Sequence, residues 1–199
     1  MAHRVFISYH HANDQEYKEA LVKWAEENDI FIDWSVDIGD ISDDLTDQQI
    51  REIIRDEYLR DSSVTILLVG TETKYRKHID WELYSSMYDG KVNKKSGILV
   101  INLPSTNCSQ CHAAHSGEQD NVFPEITSWI SVTERAEYER RYPYMPDRII
   151  DNWLYGAKVS AISWNDISAF RLKYMIERAF EDRVYCSYDL SRPMRRRNF

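Results

Sequence analysis

Six consecutive residues, Val64-Thr-Ile-Leu-Leu-Val69, stand between Ser63 and Gly70 with a single hydroxyl as their polar content. A segment this short and this uniformly apolar has no face to turn to water. It reads as a strand buried on both sides, as in a parallel sheet covered by helices. The neighbouring segments agree with that reading. Arg4–His10, with Val5, Phe6 and Ile7, is a first strand, and from Gln15 the residues Tyr17, Leu21, Val22, Trp24 and Ala25 recur at helical spacing until Asn28-Asp29. Ile30–Val36 is a second strand, and the acidic stretch Asp37–Asp44 is a loop. Thr46 can cap a helix bearing Ile50, Ile53, Ile54, Tyr58 and Leu59.

After the central strand, Ile79, Leu83 and Met87 define a helix that Gly90 is placed to end in a left-handed cap. Gly97–Leu103 is a fourth strand closed by Pro104. Ser105–Pro146 lacks a long apolar period and reads as an insertion with one short helix near Val132–Arg141. Lys158–Trp164 is a fifth strand, and Asn165 can cap a last helix carrying Ile167, Phe170, Tyr174 and Ile176. The alternation predicts an α/β fold of flavodoxin-like type, a three-layer sandwich with a five-stranded parallel sheet in the order 2-1-3-4-5. The expected organisation is one domain over 1–199 with an insertion at about 105–146. Ligands of such sheets sit outside the carboxyl ends of the strands, which nominates His10, Val36–Gly39, Gly70–Arg76, Pro104 and Trp164.

Composition excludes several functions. A net charge of −8 opposes binding to a polyphosphate backbone, so no nucleic-acid partner is expected. The one dense basic run, Arg192 with Arg195, Arg196 and Arg197, reads as a solvated terminus. The amino-terminal apolar run Val5-Phe6-Ile7 is too short for the core of a secretory signal, and Val64–Val69 is too short to span a bilayer. A cytoplasmic protein without a membrane partner is therefore expected, and three cysteines argue against a disulfide framework.

The six glycines never fall two apart, so no G-x-G-x-x-G exists, and no Gly-Lys-Ser/Thr follows a strand. A phospho-accepting receiver needs an Asp where this chain has Val69-Gly70-Thr71. Cys108, Cys111, His112 and His115 form a metal-capable cluster, but four ligands this crowded would strain a tetrahedron, so no metal is expected. The segment Gly70–Leu83 carries the chain from the central strand to a ligand-side loop and then into a helix. Glu82 lies beside the stripe of Ile79, Leu83 and Met87. It either faces the crevice or is a surface glutamate favoured by the helix amino-terminal dipole.

Arg4-Val-Phe-Ile-Ser-Tyr-His10, Gly70-Thr-Glu-Thr-Lys-Tyr-Arg76 and Ile79-Asp-Trp-Glu-Leu83 together resemble the TIR-like family that includes the NAD-consuming TIR subunit of the Thoeris anti-phage system. The similarity covers about residues 4–104 and, more weakly, 158–181. It implies a catalytic glutamate at Glu82 and a substrate edge formed by Ser8, Tyr9 and His10. Thr71 and Arg76 would lie in the loop facing the substrate, and Trp34 would serve either as a stacking face or as a packing residue. The implied reaction cleaves the bond between nicotinamide and ribose in NAD, giving an ADP-ribose signal by hydrolysis or cyclisation. A carboxylate stabilises the oxocarbenium-like transition state, and nicotinamide leaves without needing a proton.

The resemblance brings NAD as substrate with no separate cofactor, an effector protein responding to the product, and self-association as expected partners. Asp37-Ile-Gly-Asp-Ile41 stands where eukaryotic TIR domains carry an Arg-Asp-x-x-Pro-Gly loop, which argues against adapter-type assembly through that loop. Two other readings use the same fold: a non-catalytic sensor or adapter, and a nucleoside deoxyribosyltransferase-like enzyme.

Overall fold

The computed structural model describes residues 2–35, 44–90 and 94–198. The expected loop Asp37–Ile41 and the candidate segment Val36–Gly39 lie outside the described residues. Five strands, β1 (His3–Ser8), β2 (Phe31–Asp33), β3 (Val64–Val69), β4 (Gly97–Asn102) and β5 (Val159–Ser163), form one parallel sheet in the order β2-β1-β3-β4-β5. The expected fold class and strand order are both found.

Every residue of β3 and β4 is buried, and the period-2 alternation divides their side chains between two cores. Val64, Ile66, Leu68, Leu99 and Ile101 face helices α1 (His11–Glu27) and α7 (Ala169–Asp182), represented by Leu21, Ala25, Leu172 and Met175. Leu67, Val69, Ile98 and Val100 face the opposite layer, which contains α3 (Lys77–Met87) and α6 (Asp147–Tyr155). A third cluster joins Phe6 of β1 to Ile50 of α2 (Asp47–Ile53) and to Trp81. Thr46 caps α2 with a capping box: its hydroxyl accepts from Gln49 N at 3.3 Å, and Gln49 reaches back to Thr46 N at 3.0 Å.

Several expectations need correction. The helix α3 ends at Met87 because Tyr88 swings into extended backbone with its ring under the Arg51 guanidinium at 3.8 Å, so Gly90 is not its cap. Ser168, not Asn165, caps α7, and the buried stripe is Leu172, Met175, Ile176 and Ala179, which leaves Phe170 61% exposed. The helix α6 was not anticipated. It starts after Pro146 and ends at Gly156, whose φ of 86° is a left-handed cap that a side chain would strain.

The insertion contains α4 (Glu118–Asn121) and the expected short helix, α5 (Arg135–Arg141). It also touches the sheet, because His112 forms an antiparallel bridge with Ala161 of β5: His112 N donates to Ala161 O at 2.9 Å and Ala161 N to His112 O at 2.8 Å. Among the described residues no helix is long and apolar enough to cross a membrane.

The basic tail is docked rather than free, although Arg196 and Arg197 remain exposed. Met194 is buried in the cluster around Trp81, and the indole Nε1 of Trp81 donates to Arg195 O at 2.7 Å. Arg192 pairs with Asp151, and Arg196 pairs with Asp47. These carboxylates come from α6 and α2, so a run of charge that looks featureless in sequence finds specific partners in space.

Candidate active site

The strand order reverses between β1 and β3, and a crevice at such a switch point is where sheets of this type hold ligands. Ser8 is the last residue of β1, and alternation along the strand points it toward α3, on the same side as Phe6. Glu82 is the sixth residue of α3, beyond the first turn where the helix dipole is felt. The two meet: Ser8 Oγ donates to Glu82 Oε2 at 2.5 Å, and both residues are buried.

Glu82 is only 5% exposed, which removes the surface-glutamate reading. Burial pushes its carboxyl up to about 8, with the hydrogen bond from Ser8 acting in the opposite direction. A carboxyl poised near neutrality can gain or lose a proton under working conditions.

Beside this pair lies a second group. His10 holds the start of α1 through its carbonyl, which accepts Asp14 N at 2.8 Å. Its imidazole is shifted below the usual range by burial and then by Arg76, with Glu72 opposing. Arg76 Nη2 donates to Glu72 Oε2 at 2.8 Å. Asp14 of α1 is buried with its carboxyl packed on Gly70 so closely that a Cβ there would lie 2.5 Å from Asp14 Oδ2, so any larger residue would push this carboxyl aside. Burial raises the carboxyl of Asp14, and a backbone hydrogen bond from His10 tempers the rise.

Among the described residues His10 Nδ1, Asp14 Oδ2, Arg76 Nε and Asn102 Nδ2 are buried without a protein partner. They lie along one crest, just past β1, at the end of β4, in the first turn of α1 and at the residue that precedes α3. Each unpaired buried polar group costs about 1–3 kcal/mol unless water or a ligand satisfies it, and Ser85 Oγ, His115 Nε2 and Glu118 Oε1 are in the same condition away from this crest.

The structure thus brings Ser8 to Glu82, and His10 to Arg76. Thr71 occupies the turn between Gly70 and Glu72, half-buried. Tyr9 points to the other face: its ring lies in the core with α1, stacked on His11 at 4.4 Å, and its hydroxyl donates to Gln15 Oε1 at 2.6 Å. Trp34 is engaged elsewhere, with the Arg4 guanidinium 4.3 Å from its ring and its Nε1 donating to Arg60 O at 2.8 Å. These partners lie at the amino ends of β1 and β3.

Asp14 and Asn102 were not singled out from sequence, because Asp14 meets Gly70 only through the fold and Asn102 is marked only by its place at the end of β4; Glu72 lies within the nominated segment Gly70–Arg76 and pairs locally with Arg76. The Cys/His cluster disperses. Cys108 Sγ donates to Arg141 O at 3.5 Å and His115 Nδ1 pairs with Asp182 at 2.8 Å. No three His, Cys, Asp or Glu side chains converge on a metal position among the described residues.

The amino-terminal end of α3 is clamped from outside. Asp80 accepts from Arg148 Nε at 2.8 Å, from Arg148 Nη2 at 2.9 Å and from Arg195 N at 2.8 Å. Arg148, itself fully buried, also donates to the carbonyls of Arg192 at 3.1 Å and Pro193 at 3.2 Å. The tail is therefore a strap across the helix that carries Glu82.

The family model described as Thoeris protein ThsB, TIR-like domain, matches residues 6–108, just over half of the chain. The match spans Ser8, His10, Asp14, Glu72, Arg76, Glu82 and Asn102. No curated protein and no solved structure matches the chain.

Proposed function

The chain belongs to the TIR-like domain family of the Thoeris protein ThsB, with a role in TIR-family defence, and on that premise we propose that it cleaves NAD. In this reading Glu82 is the catalytic carboxylate, and the product is an ADP-ribose-derived signal, linear or cyclic, sensed by a separate effector protein. The observation that carries the proposal is the buried Ser8–Glu82 pair at the switch point of the sheet.

The chemistry follows from the pair. The bond between the anomeric carbon and the nicotinamide nitrogen breaks with both electrons going to the nitrogen, so nicotinamide leaves neutral and the ribose is left as an oxocarbenium ion. A carboxylate beside that carbon stabilises the positive charge, and the reaction closes by attack of water, whose proton passes to the carboxylate, or of an adenine nitrogen. Ligand-free Glu82 is mostly protonated at neutral pH, but a nicotinamide cation brought beside it favours the ionised form, and the Ser8 hydroxyl holds one carboxylate oxygen in place. His10 and Arg76 lie along the same crest, where their unpaired nitrogens can meet ribose or phosphate oxygens.

The test is to incubate the purified protein with NAD, with and without extract of phage-infected cells, and to identify the products by mass spectrometry. Release of nicotinamide by the wild type and a loss of about 10²–10³ in rate for Glu82→Gln are expected. Nicotinamide release under neither condition, or equal release by a stable Glu82→Gln protein, would remove the assignment. One observation favours a second reading, a nucleotide-binding sensor or adapter without turnover: Glu82 is covered, and a cavity of about 460 Å³ lies elsewhere, around His112 and Trp153. That reading expects NAD to bind and survive.

A further inference from the structure

Beyond the edge strand β5, between the segment Cys111–Ala114 and helices α5 and α6, lies a cavity of about 460 Å³. Its size falls within the range of about 300–1,000 Å³ common to small-molecule sites. Its residues lie outside the family-matched stretch, and none of them belongs to the Ser8–Glu82 crest.

The wall is aromatic and ordered. The Trp153 ring is fixed by its Nε1 donating to Val159 O at 2.8 Å, and around it stand Tyr142 at 4.7 Å, His112 at 4.9 Å and Tyr138 at 5.1 Å between ring centroids. Trp129, half-buried, lines the same space. No described residue hydrogen-bonds to the hydroxyls of Tyr138 and Tyr142 or to the imidazole of His112, so these polar tips are available to a ligand.

Charge narrows the class of ligand. Burial pushes the His112 imidazole down to about 4 and the Cys111 thiol up to about 11, so both are neutral near pH 7. The one charged side chain on the lining is Arg141, and its Nε already donates to Glu137 Oε1 at 2.6 Å. An anion would have to share that cation with Glu137, and a cation would meet ring faces but no carboxylate on the lining. A hydrocarbon would leave the phenols and imidazole unpaired, which is costly. A planar, neutral ring with donors and acceptors on its edge satisfies these constraints, since its faces can stack on the half-buried rings of His112 and Trp129 while its edge meets the free polar tips.

We propose that this cavity is a second ligand site, which takes a planar nitrogen heterocycle of nucleobase size and is separate from the Ser8–Glu82 crest. The inference does not rest on NAD cleavage. It makes the insertion a small-molecule receptor attached to the edge of the sheet.

Adenosine, guanosine, uridine and nicotinamide, each titrated into the full chain by calorimetry and by tryptophan fluorescence, test the site. At least one should bind saturably with one site per chain and quench the emission. Glu82→Gln should bind it as the wild type does. His112→Ala, which removes one ring and should melt somewhat below the wild type, and Ser131→Trp, which fills the cavity from an exposed position and should melt like it, should each weaken binding roughly 10–100-fold. If none of the four probes binds, if both cavity variants bind as the wild type does, or if Glu82→Gln alone abolishes binding, the proposal is overturned.

Discussion

A carboxyl group taken out of water resists ionisation, and Glu82 does so with only the Ser8 hydroxyl to offset the loss of solvent. The consequence for stability has a definite sign. Between its ordinary value of 4.5 and about 8 the unfolded chain releases this proton while the folded chain keeps it, so this residue's contribution falls as pH rises through that window and levels off above it. Glu82→Gln cannot titrate. Its melting temperature relative to the wild type should therefore rise steadily from pH 5 to about pH 8, as scanning calorimetry at a series of pH values can measure. Activity should move the other way. If the carboxylate is the working form, kcat/KM of the wild type rises with pH and reaches a plateau above about 8; a decline through the same region would mean that the neutral acid is the active species.

At the level of elements, α3 is held on nearly every side, and its outer hold is the Asp80–Arg148 pair together with the strap Arg192–Asn198. Removing one member of a buried ion pair leaves the other uncompensated, and Arg148 also satisfies two strap carbonyls. Arg148→Ala should therefore cost about 3–5 kcal/mol in chemical denaturation, whereas an exposed arginine such as Arg140 should tolerate the same change with little effect. The legibility of these elements follows from the range of the forces that shape them. The doubly apolar β3, the capping box at Thr46 and the stripe of Ile79, Leu83 and Met87 are local patterns, and all could be read directly. The helix α6 was harder, since its nine residues place a charged Arg148 on the buried face, although Pro146 and Gly156 mark its ends. The burial of Glu82 depends on Ser8, 74 positions away, and the docking of the tail depends on Asp80, Asp147 and Asp151; no short window of sequence contains those pairs.

For the molecule as a whole, the crest lies within residues 6–108, yet the core beneath it does not end there. The edge of β4 is completed by β5, and Leu99 and Ile101 are covered by Leu172, Met175 and Ile176 of α7. A fragment ending at residue 108 would expose that face and one edge of the sheet, so it should show no cooperative thermal transition by circular dichroism, while the full chain should melt in one step. A cooperative melt of the fragment would show that the matched stretch folds alone.

The bridge between His112 and Ala161 has a further consequence, for how copies of this molecule can meet. A bare edge strand offers rows of unpaired amides and carbonyls that can recruit another strand and template aggregation. Here the middle of β5 is already occupied by His112, and the opposite edge, β2, is three residues long. Neither described edge gives a second copy a long, free row to zip onto. Any self-association would therefore have to use contacts between side-chain surfaces rather than growth of the sheet at its described edges.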